Sequence, residues 1–474
     1  MSQIHELTMI ELATAIRSKE LSPVAVTDHY LQRTQELNDQ VGAFFTITAE
    51  LAAEQALAAE KAVAEAPDPS ALPPLTGVPI PIKDLNMVAG VRQTLGSAAF
   101  INNVPDADDY VVVAIRKAGA VLTGKTATPE FGLPCYTETA IAPPARTPWD
   151  LSRSAGGSSG GAAAAVAAGL APAAQGSDGG GSIRIPASVC GLFGIKPSRG
   201  RISEGPLMPD LAGLGVNGPL ARTVADAALL LDVMTGNFPG DMYTLPPLPA
   251  GESFLGHASR PPGKLKIART LQSPVPGAEI HPDCVTAYEE ASSLLASLGH
   301  EVEDIAMPLG PDVVPFFETL WVGYATLAPI DPSQEGILRP LTQYLRGRGQ
   351  ATGAAELIFA QAYLQAVTRV AIAVFGAYDA VLTPTLARPP VPVGYFDEVE
   401  PAENFERQKL FTPFTAIYNI AGLPAVNVPL HWNAEGLPIG VMLAGRMGGE
   451  GTLISLSAQL EEARPWKDRH PPIW

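Results

Sequence analysis

The sequence predicts an α/β fold in which helices cover a β-sheet. Segments with helix-capping signals alternate with short apolar segments typical of strands, the pattern that this fold class produces. Of the 474 residues, 46% are hydrophobic, so the chain can bury a substantial core. This length suits one large domain or two to three smaller ones, and no internal repeat divides it.

The first 66 residues are expected to form an N-terminal helical part. Thr8 and Glu11 fit a capping box, and Ser22 provides an N-cap before Pro23 at a first helical position. A third helix, rich in alanine and glutamate, is expected from about residue 50 to residue 66.

Residues 75–200 are expected to form the part of the fold that carries its chemistry. After a connector at residues 67–74, residues 78–82 suggest a short buried strand that ends at Lys83, although two prolines limit its pairing. Further helices are expected at residues 108–118, 160–169 and 183–191, and a further strand at residues 121–123.

The rest of the chain divides into a variable middle and a strand-containing end. Residues from about 206 to 350 are rich in proline, and they either cover the functional site or only connect helices. Residues 242–262 suggest a surface connection. Strands are expected at residues 378–384, 423–429 and 438–443, so that residues 376–474 complete the same sheet.

The charge balance argues against nucleic-acid and anionic membrane partners. Asp and Glu total 48 and Lys and Arg total 31, a net charge of −17 that repels phosphate groups. The N-terminus lacks a signal-peptide pattern, and the nearly uncharged run at residues 160–174 is too short to span a bilayer. Three cysteines without metal-ligand spacing predict no structural metal. We therefore expect a cytoplasmic enzyme, monomeric or homodimeric, that acts on a small molecule.

Two serines in glycine-rich surroundings give the best indication of function. Ser158 and Ser182 lie 24 positions apart, and the glycines 179–181 immediately precede Ser182. Consecutive glycines allow backbone N–H groups to converge on one anion, and a hydroxyl beside such a group is what acyl transfer requires. The segment therefore predicts a serine hydrolase with Gly179, Gly180, Gly181 and Ser182 as oxyanion donors.

A serine nucleophile needs a base, and Lys83 is a better candidate than histidine. The seven histidines lie mostly in polar, terminal or connector-like segments. A lysine at the end of an apolar strand loses hydration, which lowers its pKa and makes the neutral amine available.

Two other catalytic or binding motifs match the sequence pattern but lack the secondary structure that they require. Residues 119–126 fit a P-loop but lack the following helix, and residues 156–160 fit a nucleophile elbow but lack the preceding strand.

Residues 156–186, together with Ile80–Asp84, resemble the amidase signature family, and the similarity covers most of the chain. The resemblance implies a single large domain, with a mixed sheet flanked by helices on both faces. It also implies a catalytic triad of Lys83, Ser158 and Ser182, with a cis peptide bond before Ser158. No cofactor is implied.

The resemblance also suggests supporting residues. Asp178 is expected to hydrogen-bond the backbone or a serine near the nucleophile. Arg184 is expected to form a structural ion pair, and Ser159 to orient Ser158 or Lys83. Gly179 replaces the threonine, isoleucine or alanine common in the family, which predicts a looser oxyanion turn.

Only the similarity of further segments to particular family members indicates the substrate class. Residues 184–191 and 196–203 look similar to the nylon-oligomer and aryl-amide members, which favours small hydrophobic or aryl amides. Carbamate and ester cleavage follow as hypotheses, with the segments 131–136 and 316–324 as pocket walls. Two alternatives stay open. One is the glutaminase subunit of a tRNA-dependent amidotransferase, and the other is an α/β-hydrolase esterase with Ser158 as nucleophile and His431 as base.

Overall fold

An eight-stranded mixed β-sheet forms the centre of the molecule. The computed structural model describes residues 3–206, 210 and 212–474. Numbered along the chain and given in their order across the sheet, the strands are β4 (Ala173–Ser177), β6 (Asn217–Ala221), β5 (Phe193–Lys196), β10 (Ala425–Trp432), β11 (Pro438–Gly445), β9 (Ala380–Pro384), β7 (Lys266–Arg269) and β8 (Glu301–Asp304). β7 pairs in parallel with β8 and β9, and the other neighbours are antiparallel.

Three further strands make a small second sheet, in the order β1 (Phe44–Ile47), β3 (Gly124–Thr126) and β2 (Ile82–Lys83). β2 runs parallel to β3, and its second and last residue is Lys83. The small sheet therefore holds Lys83 in a buried position.

Helices cover both faces of the large sheet. They are α1 (Met9–Arg17), α2 (Pro23–Val41), α3 (Ala49–Glu65), α4 (Tyr110–Lys117), α5 (Gly160–Ala167), α6 (Arg184–Cys190), α7 (Val224–Met234), α8 (Phe254–Ala258), α9 (Pro282–Ser297), α10 (Val313–Tyr324), α11 (Pro340–Ala351), α12 (Ala354–Phe375), α13 (Pro401–Phe411), α14 (Ala416–Ile420) and α15 (Glu450–Ala463). α7, α9 and α15 contribute to one core cluster, and α5 and α6 contribute to another. The predicted single α/β domain with a mixed sheet is confirmed.

Most of the predicted helices are present, whereas two strand predictions need correction. α1 begins after a capping box between Thr8 and Glu11, and α2 begins after the Ser22 cap. The strand expected at residues 78–82 is reduced to β2 and one bridge between Pro79 and Val121, because proline lacks the N–H group that a ladder needs. The strand expected at residues 121–123 lies instead at β3.

The proline-rich middle of the chain contains more regular structure than its sequence indicates. β6, β7 and β8 lie in the central sheet, and five helices from α7 to α11 begin within this region. Residues 1–2 of the expected helical part and residues 207–209 and 211 of the middle lie outside the described residues.

α12 is the most apolar long helix of the fold. By length and composition alone it could cross a membrane, with a mean hydropathy of 1.5 in an 18-residue window of which 22% is buried. Its sequence was not among the expected membrane-length runs, since the run at residues 160–174 was the longest nearly uncharged run of small residues. Length and composition do not distinguish a membrane span from a helix of a soluble domain.

Candidate active site

Lys83 lies at the centre of the site and is completely buried. Its Nζ lies 2.8 Å from Ser158 Oγ. Burial penalises the ammonium form and lowers the pKa of Lys83 to about 7, although the negative charge of Asp178 opposes this shift. Near neutral pH a large fraction of the amine is therefore uncharged and can accept a proton from Ser158.

Ser177 is a partner of Lys83 that the sequence analysis missed. Lys83 Nζ lies 3.0 Å from Ser177 Oγ and 3.3 Å from the carbonyl oxygen of Ser177. Ser159, expected to orient Ser158 or Lys83, instead hydrogen-bonds the Ser177 backbone, donating to its carbonyl at 3.1 Å and accepting from its N–H at 3.3 Å. Ser159 therefore holds the residue that holds Lys83. The position of Ser177 directly before Asp178 was the only sequence signal for this role.

The peptide bond between Gly157 and Ser158 is cis, as the resemblance implied. The neighbouring residue is fixed to the second serine, because the N–H of Ser159 donates to the carbonyl oxygen of Ser182 at 3.1 Å. Ser158 is 2% exposed and Ser182 is 6% exposed. In the described part of the chain no hydrogen bond joins Ser158 Oγ to Ser182 Oγ, so the hydroxyl group of Ser182 is free to meet a ligand.

The oxyanion prediction needs correction at Gly181. Its N–H donates to Asp178 Oδ1 at 2.7 Å, so this group is already occupied by a carboxylate. The N–H groups of Gly179, Gly180 and Ser182 have no partner among the described residues. Gly181 is needed for a different reason, because its φ is +133° and a Cβ there would lie 2.5 Å from Thr415 Oγ1.

An ion pair between Asp178 and Arg184 holds the glycine segment at residues 179–181 in place. Arg184 donates two hydrogen bonds of 2.9 Å to Asp178, and both side chains are completely buried. Asp178 also accepts the N–H of Ile183 at 3.1 Å and an amide hydrogen of Asn419 at 2.8 Å. Burial favours the neutral acid, but Arg184 outweighs it, and the pKa of Asp178 lies well below its usual range. The expected hydrogen bonds of Asp178 and the structural ion pair of Arg184 are confirmed.

Ser182 lies where two cavities meet. We call the first the small chamber, with a volume of about 100 Å³ and walls that include Val314, Phe317 and Ile417. The second, the large chamber, has a volume of about 570 Å³. Its walls combine apolar side chains with the polar residues Asn86, Gln93, Asp109, Ser158, Glu204 and Asn217.

The esterase alternative with His431 is wrong. Ser158 contacts Lys83, whereas His431 lies 3.2 Å from Glu290 at the end of β10. A nucleophile elbow requires a strand that leads into the serine, and no strand leads into Ser158.

Within the described ranges, no three His, Cys, Asp or Glu side chains are grouped so that they could hold a metal ion.

The comparison with known protein families agrees with this site geometry. The family described as Amidase matches residues 25–454. The chain belongs to the amidase signature family. It is therefore an amide-bond hydrolase by family.

Three relatives show how far this amidase resembles known proteins. The 6-aminohexanoate-cyclic-dimer hydrolase of Paenarthrobacter ureafaciens is 34% identical over 486 residues, covering 97% of this chain and 95% of that protein. A solved structure of a 6-aminohexanoate cyclic dimer hydrolase matches with a TM-score of 0.90 and 31% identity over 100% of both chains. A bacterial aryl acylamidase of the amidase signature family matches with a TM-score of 0.87 and 26% identity over 98% of each chain.

Removing the Asp178 carboxylate should destabilise the amidase strongly. Asp178→Ala leaves the buried guanidinium of Arg184 without its counter-ion, and such a loss costs about 3–5 kcal/mol of the free energy of unfolding. Urea titration measures this change. As a control, Glu435→Ala breaks an ion pair with Arg153 in which the glutamate is 64% exposed, and it should cost less than about 1 kcal/mol. Equal small losses in both variants would contradict the anchoring role.

Proposed function

We propose that this amidase cleaves small hydrophobic and aryl amides through an acyl-enzyme on Ser182, with Lys83 as base and Ser158 as proton relay. The observation that carries the proposal is the buried Lys83 amine, 2.8 Å from Ser158 Oγ, beside a free Ser182 hydroxyl. A serine nucleophile requires this kind of activated proton acceptor.

In the first step the neutral amine of Lys83 takes the proton of Ser158, and Ser158 takes the proton of Ser182. The Ser182 oxygen then forms a bond with the carbonyl carbon of the substrate. The two serine hydroxyl groups must come into hydrogen-bond contact for this transfer, and catalytic hydrogen bonds commonly tighten in the substrate complex. Ser177 provides two oxygen atoms that stabilise the resulting Lys83 ammonium.

The developing negative charge lies on the former carbonyl oxygen. We assign its stabilisation to the unoccupied N–H groups of Gly179, Gly180 and Ser182. Asp178 accepts the N–H of Gly181 and thereby holds the segment in place before the substrate arrives. Donors fixed in advance lower the barrier because they need no reorganisation during the reaction.

In the second step the carbon–nitrogen bond breaks and the leaving nitrogen receives a proton from Lys83 through Ser158. An amine leaves poorly unless it is protonated, so this transfer matters more for amides than for esters. Water then attacks the acyl-enzyme, its proton follows the same route, and Ser182 regains its proton as the acid is released. Each proton taken by Lys83 is returned, and no cofactor takes part.

Several observations support hydrophobic and aryl substrates. Apolar side chains dominate the small chamber, and Phe131, Leu133 and Trp321 line the large one. The names of the relatives include an aryl acylamidase and a hydrolase of a cyclic amide. Because carbamates and esters share the reacting carbonyl, we also propose cleavage of small aryl carbamates and esters. The apolar walls of the small chamber favour these substrates over glutamine.

The test compares the wild-type protein with Ser158→Ala on three butyryl or carbamoyl substrates that release a chromophore. The wild type is expected to turn over butyryl-4-nitroanilide, an aryl carbamate and 4-nitrophenyl butyrate between pH 7 and pH 10. Ser158→Ala should lower kcat/KM for the anilide by about 10³-fold, within the range of general acid–base catalysis, and for the ester by only about tenfold, because its leaving group needs no proton.

The contrast between substrates matters more than the size of either loss. Equal losses on the anilide and the ester would contradict the role of Ser158 in protonating the leaving nitrogen. Absence of turnover of both the anilide and the carbamate by the wild type would count against the proposed substrates.

A further inference from the structure

We propose that the two chambers divide the substrate, with its acyl part in the small chamber and its amine part in the large chamber. The aromatic face of α10 forms the partition between them. This inference rests on the proposed function and adds an orientation and a substrate class to it. The favoured substrate carries a compact apolar acyl group on a larger amine that has its own polar groups.

The direction of the substrate follows from the position of the proton relay. Ser158 and Ser177 line the large chamber and are absent from the walls of the small one. Because the leaving nitrogen receives its proton from Ser158, it must face the large chamber. The substituent on the other side of the carbonyl carbon then points towards the small chamber, whose wall includes Ser182 and Gly180.

Three aromatic residues of α10 form the partition. Phe317, Trp321 and Tyr324 follow one another at spacings of four and three residues, so they lie on one face of the helix. Phe317 lines only the small chamber, Tyr324 lines only the large one, and Trp321 lines both. The Phe317 and Trp321 rings are stacked with centroids 5.5 Å apart, and the Tyr324 hydroxyl donates to Asp210.

The indole of Trp321 rests against the glycines that precede the nucleophile. A Cβ at Gly179 or Gly180 would lie 3.6–3.7 Å from Trp321, in ordinary van der Waals contact. Neither glycine has the positive φ that makes Gly181 obligatory. The indole therefore lies directly beside the segment that carries the proposed oxyanion donors, and it separates the chambers next to Ser182.

The sizes and linings of the chambers define the two halves of the substrate. The small chamber, at about 100 Å³ with walls such as Val275, Val313 and Ile420, fits a short alkyl acyl group better than a long fatty chain. The large chamber, at about 570 Å³, is lined by the side-chain amides of Asn86, Gln93 and Asn217. Each amide already donates one hydrogen bond and accepts one within the protein, which leaves it one further N–H and one further lone pair for polar groups of the amine. A second amide in the amine part would find partners there.

A matched pair of filling substitutions tests the assignment. The larger side chain of Val314→Phe fills part of the small chamber, and that of Leu327→Trp fills part of the large chamber. Val314 is half-buried and Leu327 is 39% exposed, so both variants should fold. The acyl series compares acetyl and butyryl anilides, and the amine series compares N-methylbutyramide with the butyryl amide of 4-aminobiphenyl.

Val314→Phe should lower the butyryl-to-acetyl ratio of kcat/KM about tenfold and leave the ratio in the amine series unchanged, since single methylenes change such ratios by this order. Leu327→Trp should lower the biphenyl-to-methyl ratio about tenfold and leave the acyl ratio unchanged. Exchanged responses, or equal responses of both variants in both series, would overturn the assignment.

A binding measurement separates this assignment from the proposed chemistry. The dissociation constants of the same amides are measured with both filling substitutions in a Ser182→Ala background, where no acyl-enzyme forms. The same pattern in Kd supports the assignment even if the wild type fails to hydrolyse the amides, in which case only the proposed function falls. Exchanged or equal changes in Kd overturn the assignment whether or not hydrolysis occurs.

Discussion

Ser182→Ala is expected to abolish amide, carbamate and ester hydrolysis. The loss in kcat should be on the order of 10⁴- to 10⁶-fold, as found when a serine nucleophile is removed from an enzyme that uses an acyl intermediate. The hydroxyl group of Ser182 has no hydrogen-bond partner in the described part of the chain, so its removal should leave stability nearly unchanged. Initial rates and urea titration together measure the effect.

Ser188→Ala is the matched control for this substitution. Ser188 lies on α6, is 3% exposed, and accepts the N–H of Gly440 at 3.0 Å, away from both chambers. Its removal should cost some stability but retain turnover within several-fold. If Ser182→Ala kept comparable activity, another residue would have to be the nucleophile.

Lys83→Met should lower kcat/KM by about 10³-fold and remove the pH dependence of the wild type near neutrality. Burial lowers the pKa of Lys83 to about 7, and only the neutral amine accepts a proton. Wild-type activity should therefore rise about tenfold per pH unit below pH 7 and level off above it. A pH–rate profile between pH 5 and pH 9 measures both the rising limb in the wild type and its absence in Lys83→Met.

A second buried lysine supplies the control for this profile. Burial also lowers the pKa of Lys196 to about 7, and Lys196 Nζ donates to the carbonyl oxygen of Pro197 at 2.9 Å without lining either chamber. Lys196→Met should keep the rising limb. A limb that disappears in Lys196→Met and persists in Lys83→Met would contradict the role of Lys83 as base.

The side chains of the candidate site could be located from sequence because their local surroundings are distinctive. Glycines around two serines and a lysine after an apolar segment together predicted the region where Lys83 contacts Ser158. The aromatic segment at residues 316–324 also indicated a pocket wall, and Phe317, Trp321 and Tyr324 occupy that position. These features depend on neighbours in the chain, which a sequence displays directly.

Several strands of the central sheet gave no sequence signal. β4, β5 and β6 read Ala-Ala-Gln-Gly-Ser, Phe-Gly-Ile-Lys and Asn-Gly-Pro-Leu-Ala, and nearly all of these residues are buried. A strand buried on both faces shows no alternation of polar and apolar residues, and small residues have low strand propensity. These strands are stabilised by their sheet neighbours, which local patterns do not reveal.

The hydrogen-bond partners within the site were also beyond local reasoning. Asn419 of α14 binds both the carbonyl oxygen and the carboxylate of Asp178 from 241 positions away. The occupation of the Gly181 N–H by Asp178 depends on the turn that these contacts fix. A count of glycines predicts available donors, whereas only the folded turn shows which donors remain free.

The most direct test of the account is to locate the acyl group on the protein during turnover. An amide with an isotope-labelled acyl group is mixed with the wild type, quenched in acid within milliseconds, digested and mapped by mass spectrometry. We expect the label on Ser182, with markedly less label in Lys83→Met under the same conditions. Label on Ser158 or on any other residue would contradict it.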